Sequence, residues 1–189
     1  MSLVLLLGGA RSGKSALAVD LAARSGRDVV FVASAEARDE EMRKRIAHHR
    51  AERPDSWETL EAPIDLAGAL EAAAPGDCLV VDCLSLWIAN LLEAERSAAT
   101  IEELATLAAA RAAGRLGPTI TVSNEVGLGV VPATPLGRSY RDLLGRVNAT
   151  WAAAADEALL VVAGCVLPLA RATELLSPTL IGEGDGRRR

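Results

Sequence analysis

An eight-residue glycine-rich segment near the start of the chain has the composition of a phosphate cradle. It reads Gly-Gly-Ala-Arg-Ser-Gly-Lys-Ser from Gly8 to Ser15 and directly follows the apolar run Leu3–Leu7. Gly8 and Gly13 let backbone N–H groups turn towards phosphate oxygens, and a helix beginning at Lys14 adds the positive end of its dipole. Lys14 is then expected on the β- and γ-phosphates of a nucleotide, and the Ser15 hydroxyl on Mg2+. The segment predicts an enzyme that transfers phosphoryl groups; the alternative is a glycine-rich turn without a nucleotide.

A carboxylate stands where the metal of such a site would need a second ligand. The apolar run Leu-Val-Val from Leu79 ends in Asp82. In nucleotide-binding sheets with this loop, an aspartate at a strand end holds Mg2+. Asp82 is therefore predicted as a catalytic residue and, with Ser15, as a metal ligand. The alternative is an aspartate that caps the next helix.

The two histidines of the chain, His48 and His49, are adjacent. Neighbouring residues on a helix diverge by about 100°, so this pair does not form a metal clamp, which needs a spacing of three or four residues. Met42, Ile46 and His49 recur at helical spacing and predict the packed face of a helix. His48 falls on a different face.

His48 shares its polar face with Glu41, Arg45 and Glu52. A neutral imidazole can attack phosphorus through a ring nitrogen. Glu41 and Glu52 could orient it. The alternative is a solvated surface histidine.

These residues need a scaffold, and the hydrophobic pattern predicts an α/β fold with a mostly parallel sheet in a single domain over residues 1–189. The predicted strands are Leu3–Leu7, Asp28–Ala33, Trp57–Leu60, Cys78–Asp82, Thr119–Ser123 and Ala158–Ala163. The predicted helices run from Lys14 to before Gly26 and over Asp39–Glu52, Asp65–Ala74, Leu84–Ala94, Thr100–Leu116 and Arg138–Ala155. Residues 182–189, which contain three glycines and end in three arginines, are predicted to be a flexible tail.

The longest irregular stretch, Asn124–Leu136, carries two glycines and two prolines directly after a predicted strand. Ligands of open α/β sheets bind beyond the carboxyl ends of the strands. We therefore expect a shaped loop at the site, with an ordinary surface connection as the alternative.

Composition narrows the class of protein further. The formal net charge is −5, which argues against a nucleic-acid partner because phosphate-backbone binding needs a basic face. The first residues lack the basic segment and cleavage site of a signal peptide, and no apolar run reaches the roughly 20 residues that span a bilayer. We expect a cytoplasmic protein without a membrane span.

Several segments together resemble the bifunctional adenosylcobinamide kinase and adenosylcobinamide-phosphate guanylyltransferase family of adenosylcobalamin biosynthesis. They are the segment from Gly8 to Ser15, Arg-Ile-Ala-His-His ending at His49, Arg53-Pro54 followed by Trp57 and Glu61, Ser-Asn-Glu-Val-Gly-Leu-Gly-Val-Val-Pro from Ser123, Gly-Arg-Val-Asn ending at Asn148, and Ala-Ala-Ala-Asp ending at Asp156. The likeness extends from the first strand to the strand near Val162. It implies a three-layer, RecA-like P-loop fold, ATP and GTP as substrates with Mg2+, and a homotrimer.

The resemblance also implies roles for single residues. The first histidine of the Arg-Ile-x-His-His motif, His48 here, takes GMP as a covalent intermediate. Ala35 stands where the family would place a hydroxyl residue, and Asp82 where a glutamate also occurs. With the phosphate cradle included, the candidate nucleotide contacts are Gly8, Gly9, Ala10, Arg11, Ser12, Gly13, Lys14, Ser15, Ala33, Ser34, Ala35, His49, Arg50, Ala51, Glu52, Glu61 and Asp82.

Two other functions compete with this interpretation. One is a P-loop kinase of a small molecule that forms no covalent intermediate. The other is a GTP-dependent switch, although the chain lacks the Asn-Lys-x-Asp sequence with which such switches read guanine. A protein-bound nucleotide would separate the first alternative from the bifunctional enzyme.

Overall fold

Residues 3–171, which the computed structural model describes, alternate strands and helices along most of their length. The strands are β1 Leu3–Gly8, β2 Val29–Ala33, β3 Glu58–Glu61, β4 Cys78–Asp82, β5 Thr119–Asn124, β6 Glu157–Val162 and β7 Cys165–Leu169. The helices are α1 Lys14–Ala23, α2 Glu40–Ala51, α3 Leu66–Ala72, α4 Leu84–Glu93, α5 Ala98–Ala113 and α6 Pro135–Ala154.

All seven strands join one sheet in the order β3-β2-β4-β5-β1-β6-β7. Each neighbouring pair is parallel except β6 and β7, which run antiparallel. The carboxyl ends of the parallel strands therefore meet at one edge of the sheet. β5 lies between β1, which leads into the phosphate cradle, and β4, which ends at Asp82.

Helices cover both faces of the sheet. One core combines the strands with α3, α4, α5 and α6, and Trp87 and Trp151 are fully buried in it. The second core is smaller and packs Ala18 and Ala22 of α1 against strand residues that include Leu6 and Phe31. Apolar residues on both faces of the strands explain their nearly continuous hydrophobic runs. The predicted three-layer α/β P-loop fold is thus confirmed.

Helix α2 is the exception to this packing, because none of its residues is buried. Met42, Ile46 and His49 are its half-exposed residues and all the others are exposed. These are the three residues predicted to form the packed face of the helix, but each of them is only partly buried. Asp39 caps the helix by accepting a hydrogen bond from the Met42 N–H at 2.7 Å.

The observed elements match the predicted ones within a few residues at each end, and β7 alone has no predicted counterpart among the described residues. α5 begins at Ala98 and α6 at Pro135, in each case capped by the residue before, Ser97 and Thr134. Strand β7 was not predicted, because Pro168 interrupts its short apolar run; all five of its residues are exposed. Proline cannot donate to a sheet ladder and is tolerated at an edge, which is where β7 lies. The predicted tail, residues 182–189, falls outside the described residues.

Candidate active site

The strand register brings predicted site residues together at the carboxyl edge of the sheet. Ala33 at the end of β2 pairs with Glu61 of β3 on one side and with Asp82 of β4 on the other. Gly8 at the end of β1 pairs with Asn124 of β5. Residues far apart in sequence thus share one edge, where an open α/β sheet binds its ligands.

The phosphate cradle depends on glycine at two positions. Gly8 has φ +153° and Gly13 has φ +100°, a region that other residues rarely adopt. A methyl carbon at Gly8 would lie 2.2 Å from the Val161 carbonyl oxygen. Gly13 caps α1 without a side-chain hydrogen bond, and the first turn contains no acidic residue. The N–H groups of that turn are therefore available to an anion.

Lys14 lies inside the cradle. Its side chain is almost fully buried, and its ammonium donates to the Gly9 carbonyl at 2.6 Å and to the Ser12 hydroxyl at 3.3 Å. Burial lowers the pKa of Lys14, against the opposing influence of Cys83 and Asp82. The predicted phosphate-binding lysine is thus where the loop converges.

Asp82 is half-buried at the end of β4. Burial raises the pKa of its carboxyl, while His49, a hydrogen-bonding contribution from the Ser15 hydroxyl, Arg53 and Lys14 all act in the opposite direction. These interactions place the predicted pair, Ser15 and Asp82, next to each other.

The Ser15 and Asp82 pair fits Mg2+. Its two oxygen donors are of the kind that this cation prefers, and Mg2+ usually takes one or two protein groups and fills its shell with water and phosphate oxygens. Within residues 3–171 there is no cluster of three or more His, Cys, Asp or Glu side chains. A site that relies on phosphate oxygens is consistent with this sparse set of ligands.

Ser34, a predicted nucleotide contact, links the segments that follow β2 and β4. Its buried hydroxyl donates to the Cys83 carbonyl at 2.8 Å and accepts from the Cys83 N–H at 2.9 Å. Asn90 donates to the Ser34 carbonyl at 2.8 Å. Ser34 therefore joins the ends of β2 and β4. Its neighbours Ala33 and Ala35 are half-exposed and so are more accessible than Ser34.

The histidines differ in exposure. The His48 side chain is 73% exposed and that of His49 is 34% exposed. Glu52 reaches both, with its carboxylate oxygens 3.3 Å from His48 Nε2 and 3.3 Å from His49 Nδ1. The predicted orienting role of Glu52 thus has a contact to support it. His49 is the histidine that acts electrostatically on Asp82.

Cys83 follows Asp82 and could be considered as a nucleophile. Burial, with a further contribution from the charge of Asp82, raises the pKa of its thiol to about 11. A thiol with that pKa stays protonated at neutral pH, and the thiolate is the reactive form. Cys83 is therefore a packing residue of the smaller core.

A polar network at the end of β5 was missed by the sequence analysis. Asn124 donates to the Ser85 hydroxyl at 2.9 Å, and Asn148 of α6 donates to the Asn124 carbonyl at 3.0 Å while accepting from the Ser123 hydroxyl at 2.6 Å. The available signal was Asn148, a polar residue at helical spacing among the apolar residues Leu144 and Trp151. Buried polar groups of this kind need partners.

The sequence alone also did not predict the interactions of two arginines near the site. Arg45 of α2 acts electrostatically on Lys14. Arg53, just after α2, lies over the Phe31 ring and acts electrostatically on Asp82. Neither role has a local sequence signal, because each partner lies on a distant segment.

The predicted loop follows β5, and the Glu125 N–H donates to the Gly8 carbonyl at 3.0 Å. Its apolar side chains Leu128, Val130 and Val131 are exposed. The loop therefore begins beside the phosphate cradle and extends into solvent. No helix among the described residues is long and apolar enough to cross a membrane.

Comparisons with known proteins show the family of this chain. The bifunctional adenosylcobalamin biosynthesis protein CobP of Pseudomonas aeruginosa is 48% identical over 174 residues, covering 87% of this chain and 95% of the relative. The CobU proteins of Salmonella typhimurium and Escherichia coli are 38% and 36% identical, each covering 86% of this chain and 96% of the relative. The family described as cobinamide kinase / cobinamide phosphate guanyltransferase matches residues 4–169. The chain belongs to that family.

Proposed function

We propose that this enzyme phosphorylates adenosylcobinamide with ATP or GTP and then transfers GMP from GTP to the product. The observation that carries the proposal is the shared sheet edge, where Lys14, Ser15 and Asp82 converge and from which the histidine-bearing α2 extends. Family membership supports both reactions.

In the kinase step, the primary hydroxyl of the aminopropanol arm of adenosylcobinamide attacks the γ-phosphorus, and the nucleoside diphosphate leaves. Lys14 and the N–H groups at the start of α1 spread the charge that develops on the phosphate oxygens. Mg2+, held by Ser15 and Asp82, would neutralise phosphate charge when bound. Asp82 and Glu125 are the candidate groups for accepting the hydroxyl proton.

In the guanylyl step, a ring nitrogen of His48 attacks the α-phosphorus of GTP. A P–N bond forms, the P–O bond to pyrophosphate breaks, and the phosphate cradle holds the leaving group. The phosphate ester of the first product then attacks the same phosphorus. The P–N bond breaks, and adenosylcobinamide-GDP forms while His48 is restored.

His48 is preferred over His49 for two reasons. The family motif assigns the reaction to the first histidine, and the His48 ring is the more exposed of the two. The Glu52 carboxylate near His48 Nε2 can stabilise the positive charge that builds on the ring during attack.

The test uses GTP labelled at the α-phosphate, incubated with the enzyme without a corrinoid. We expect an acid-labile label on the wild-type protein and none on His48→Ala, whereas His49→Ala should still acquire label. Label on His48→Ala would contradict the role of His48. An unlabelled wild-type enzyme with kinase activity would favour a simple kinase.

The kinase step separates the two roles of the site. We expect His48→Ala to phosphorylate adenosylcobinamide, because the imidazole takes no part in that reaction. Lys14→Ala should impair both steps, since each develops charge on phosphates held by the cradle. A folded His48→Ala protein without kinase turnover would contradict this division.

The remaining expectations rest on the family resemblance. The candidate nucleotide contacts include the exposed residues Glu61, Arg50 and Ala51. A homotrimer and a cytoplasmic location complete the proposal. Sedimentation equilibrium of the purified enzyme would test the trimer, and a monomer at working concentration would contradict it.

A further inference from the structure

Arg53 connects the end of α2 to the sheet. Its Nε–H donates to the His49 carbonyl at 3.1 Å, and its Cζ lies 3.6 Å from the centroid of the Phe31 ring on β2. Because α2 buries none of its own residues, a contact at its end contributes much of what fixes its position.

The contact is strong for physical reasons. Phe31 is only 5% exposed and Arg53 is half-buried, so the guanidinium meets the ring partly shielded from water, where cation–π attraction exceeds that at an exposed site. Burial lowers the pKa of Arg53, and the negative charge of Asp82 opposes this. Arg53 Nη1 is buried without a hydrogen-bond partner among the described residues, so the ring and the His49 carbonyl account for how the group is held.

The side chain uses two parts of one planar group at once. The face of the guanidinium covers Phe31, and the Nε edge binds the backbone of His49, the residue next to His48. A lysine ammonium is a compact point charge and cannot cover a ring and donate in this fixed geometry together. The geometry, and not only the charge, therefore distinguishes Arg53.

We infer that Arg53 is a positioning residue for guanylyl transfer, which fixes the histidine-bearing end of α2 against β2. The inference rests on the proposed function, in which His48 attacks the α-phosphorus. A displacement of about 1 Å in a reacting group can slow a reaction by two orders of magnitude. Loss of the anchor would move the attacking ring without touching the phosphate cradle.

The experiment measures how fast label from α-labelled GTP reaches the protein in a single turnover. We expect Arg53→Ala to slow labelling at saturating GTP about tenfold, with the half-saturating GTP concentration unchanged within about twofold. Arg53→Lys should be nearly as slow, while its kinase turnover stays within about twofold of wild type. Arg43→Ala is the matched control, because Arg43 is an exposed arginine of α2 that pairs with Glu40 on the helix surface.

A second variant removes the other half of the contact. Phe31→Leu keeps an apolar side chain in the smaller core but offers no ring face to Arg53. We expect slow labelling with kinase turnover retained, and thermal unfolding measured alongside checks whether each variant is folded. Normal labelling in folded Phe31→Leu would overturn the inference.

Other results would overturn it as clearly. Wild-type labelling in Arg53→Lys would mean that charge alone matters, and an equal loss of both steps would indicate a general structural role. A raised half-saturating concentration with an unchanged maximal rate would make Arg53 a nucleotide contact. An unlabelled wild-type enzyme would remove the proposed covalent step and this inference with it, whereas label on wild type with unchanged Arg53 variants rejects the inference alone.

Discussion

Asp82 combines a functional requirement with a cost to stability. A carboxylate at the end of β4 suits a cation, yet burial disfavours its charged form and raises its pKa despite the cations around it. In a folded protein without nucleotide or metal, the ionised carboxyl therefore destabilises the native state at neutral pH. Strain of this kind is common at functional sites.

We predict that Asp82→Asn unfolds at a higher temperature than wild type at pH 7, by about 2–4 °C. The pKa of the Asp82 carboxyl is raised in the folded protein. The wild-type protein therefore has its full stability below pH 3.8, where the carboxyl is protonated in both states, and loses stability as the pH rises through the folded pKa of Asp82. The difference between the two proteins should therefore grow as pH rises above 3.8. Thermal unfolding without nucleotide across pH 4 to 7 measures it.

Exposed Asp55→Asn serves as the control and should leave the unfolding temperature unchanged. The same Asp82→Asn protein should lose most kinase turnover, because it lacks a charged ligand for the cation. A less stable variant that keeps full turnover would contradict both parts of this account.

Single residues also show how far sequence reasoning reaches. The spacing of Gly8, Gly13, Lys14 and Ser15 is local, so the cradle could be predicted in full. The neighbourhood of Ser15 and Asp82 was predicted only through the motif, since it depends on strand order. Arg53 could not be assigned, because its partner Phe31 is distant in the sequence.

At the scale of elements, the phosphate cradle is fitted against β6. The Val161 carbonyl of β6 occupies the space that a side chain at position 8 would need, while nothing lies within 4 Å of a methyl group added at Gly9. Two adjacent glycines in one motif thus face different constraints. Gly8 is required by the fold itself, independently of nucleotide.

We predict that Gly8→Ala lowers the free energy of unfolding by about 3 kcal/mol, through backbone strain and the collision with Val161. Gly9→Ala should change it by less than about 1 kcal/mol. Urea unfolding of the two proteins without nucleotide makes the comparison. Equal losses would show that the cradle tolerates a side chain at Gly8 and can shift away from β6.

The elements that were predicted well share a property. Parallel strands buried on both faces leave continuous apolar runs, which is why β1, β2, β4 and β5 were found within a residue or so of their ends. β7, Cys-Val-Leu-Pro-Leu, is also apolar, but Pro168 interrupts the run, and the strand is exposed and pairs with β6 alone. Its place was decided by tertiary structure and could not be read from its five residues.

At the scale of the whole molecule, the β6–β7 hairpin joins the edge of the sheet to the site. The Gly164 N–H in its turn donates to the Ser12 carbonyl at 2.9 Å, and the Gly164 Cα lies close to Gly13. Beyond β7, Arg171 donates to the carbonyls of Ala153 and Ala155. The last described strand thus supports a loop from the beginning of the chain.

We predict that a chain ending at Ala163 is less stable than one ending at Arg171, by about 2–4 kcal/mol. The shorter chain loses the β6–β7 ladder, the Arg171 bonds and the contact to Ser12. Its nucleotide affinity should fall as well, because the cradle loses the Gly164 bond. Urea unfolding and titration with GTP give both quantities, and equal values in the two chains would contradict the prediction.

Helix α2 has a consequence for how stability is measured in this protein. Because α2 adds no residue to either core, its local unfolding should cost less free energy than the global unfolding of the sheet. Its backbone amides should exchange with solvent far sooner than those of the central strands. A search for heat-resistant variants would therefore select few changes in the segment that carries His48 and His49.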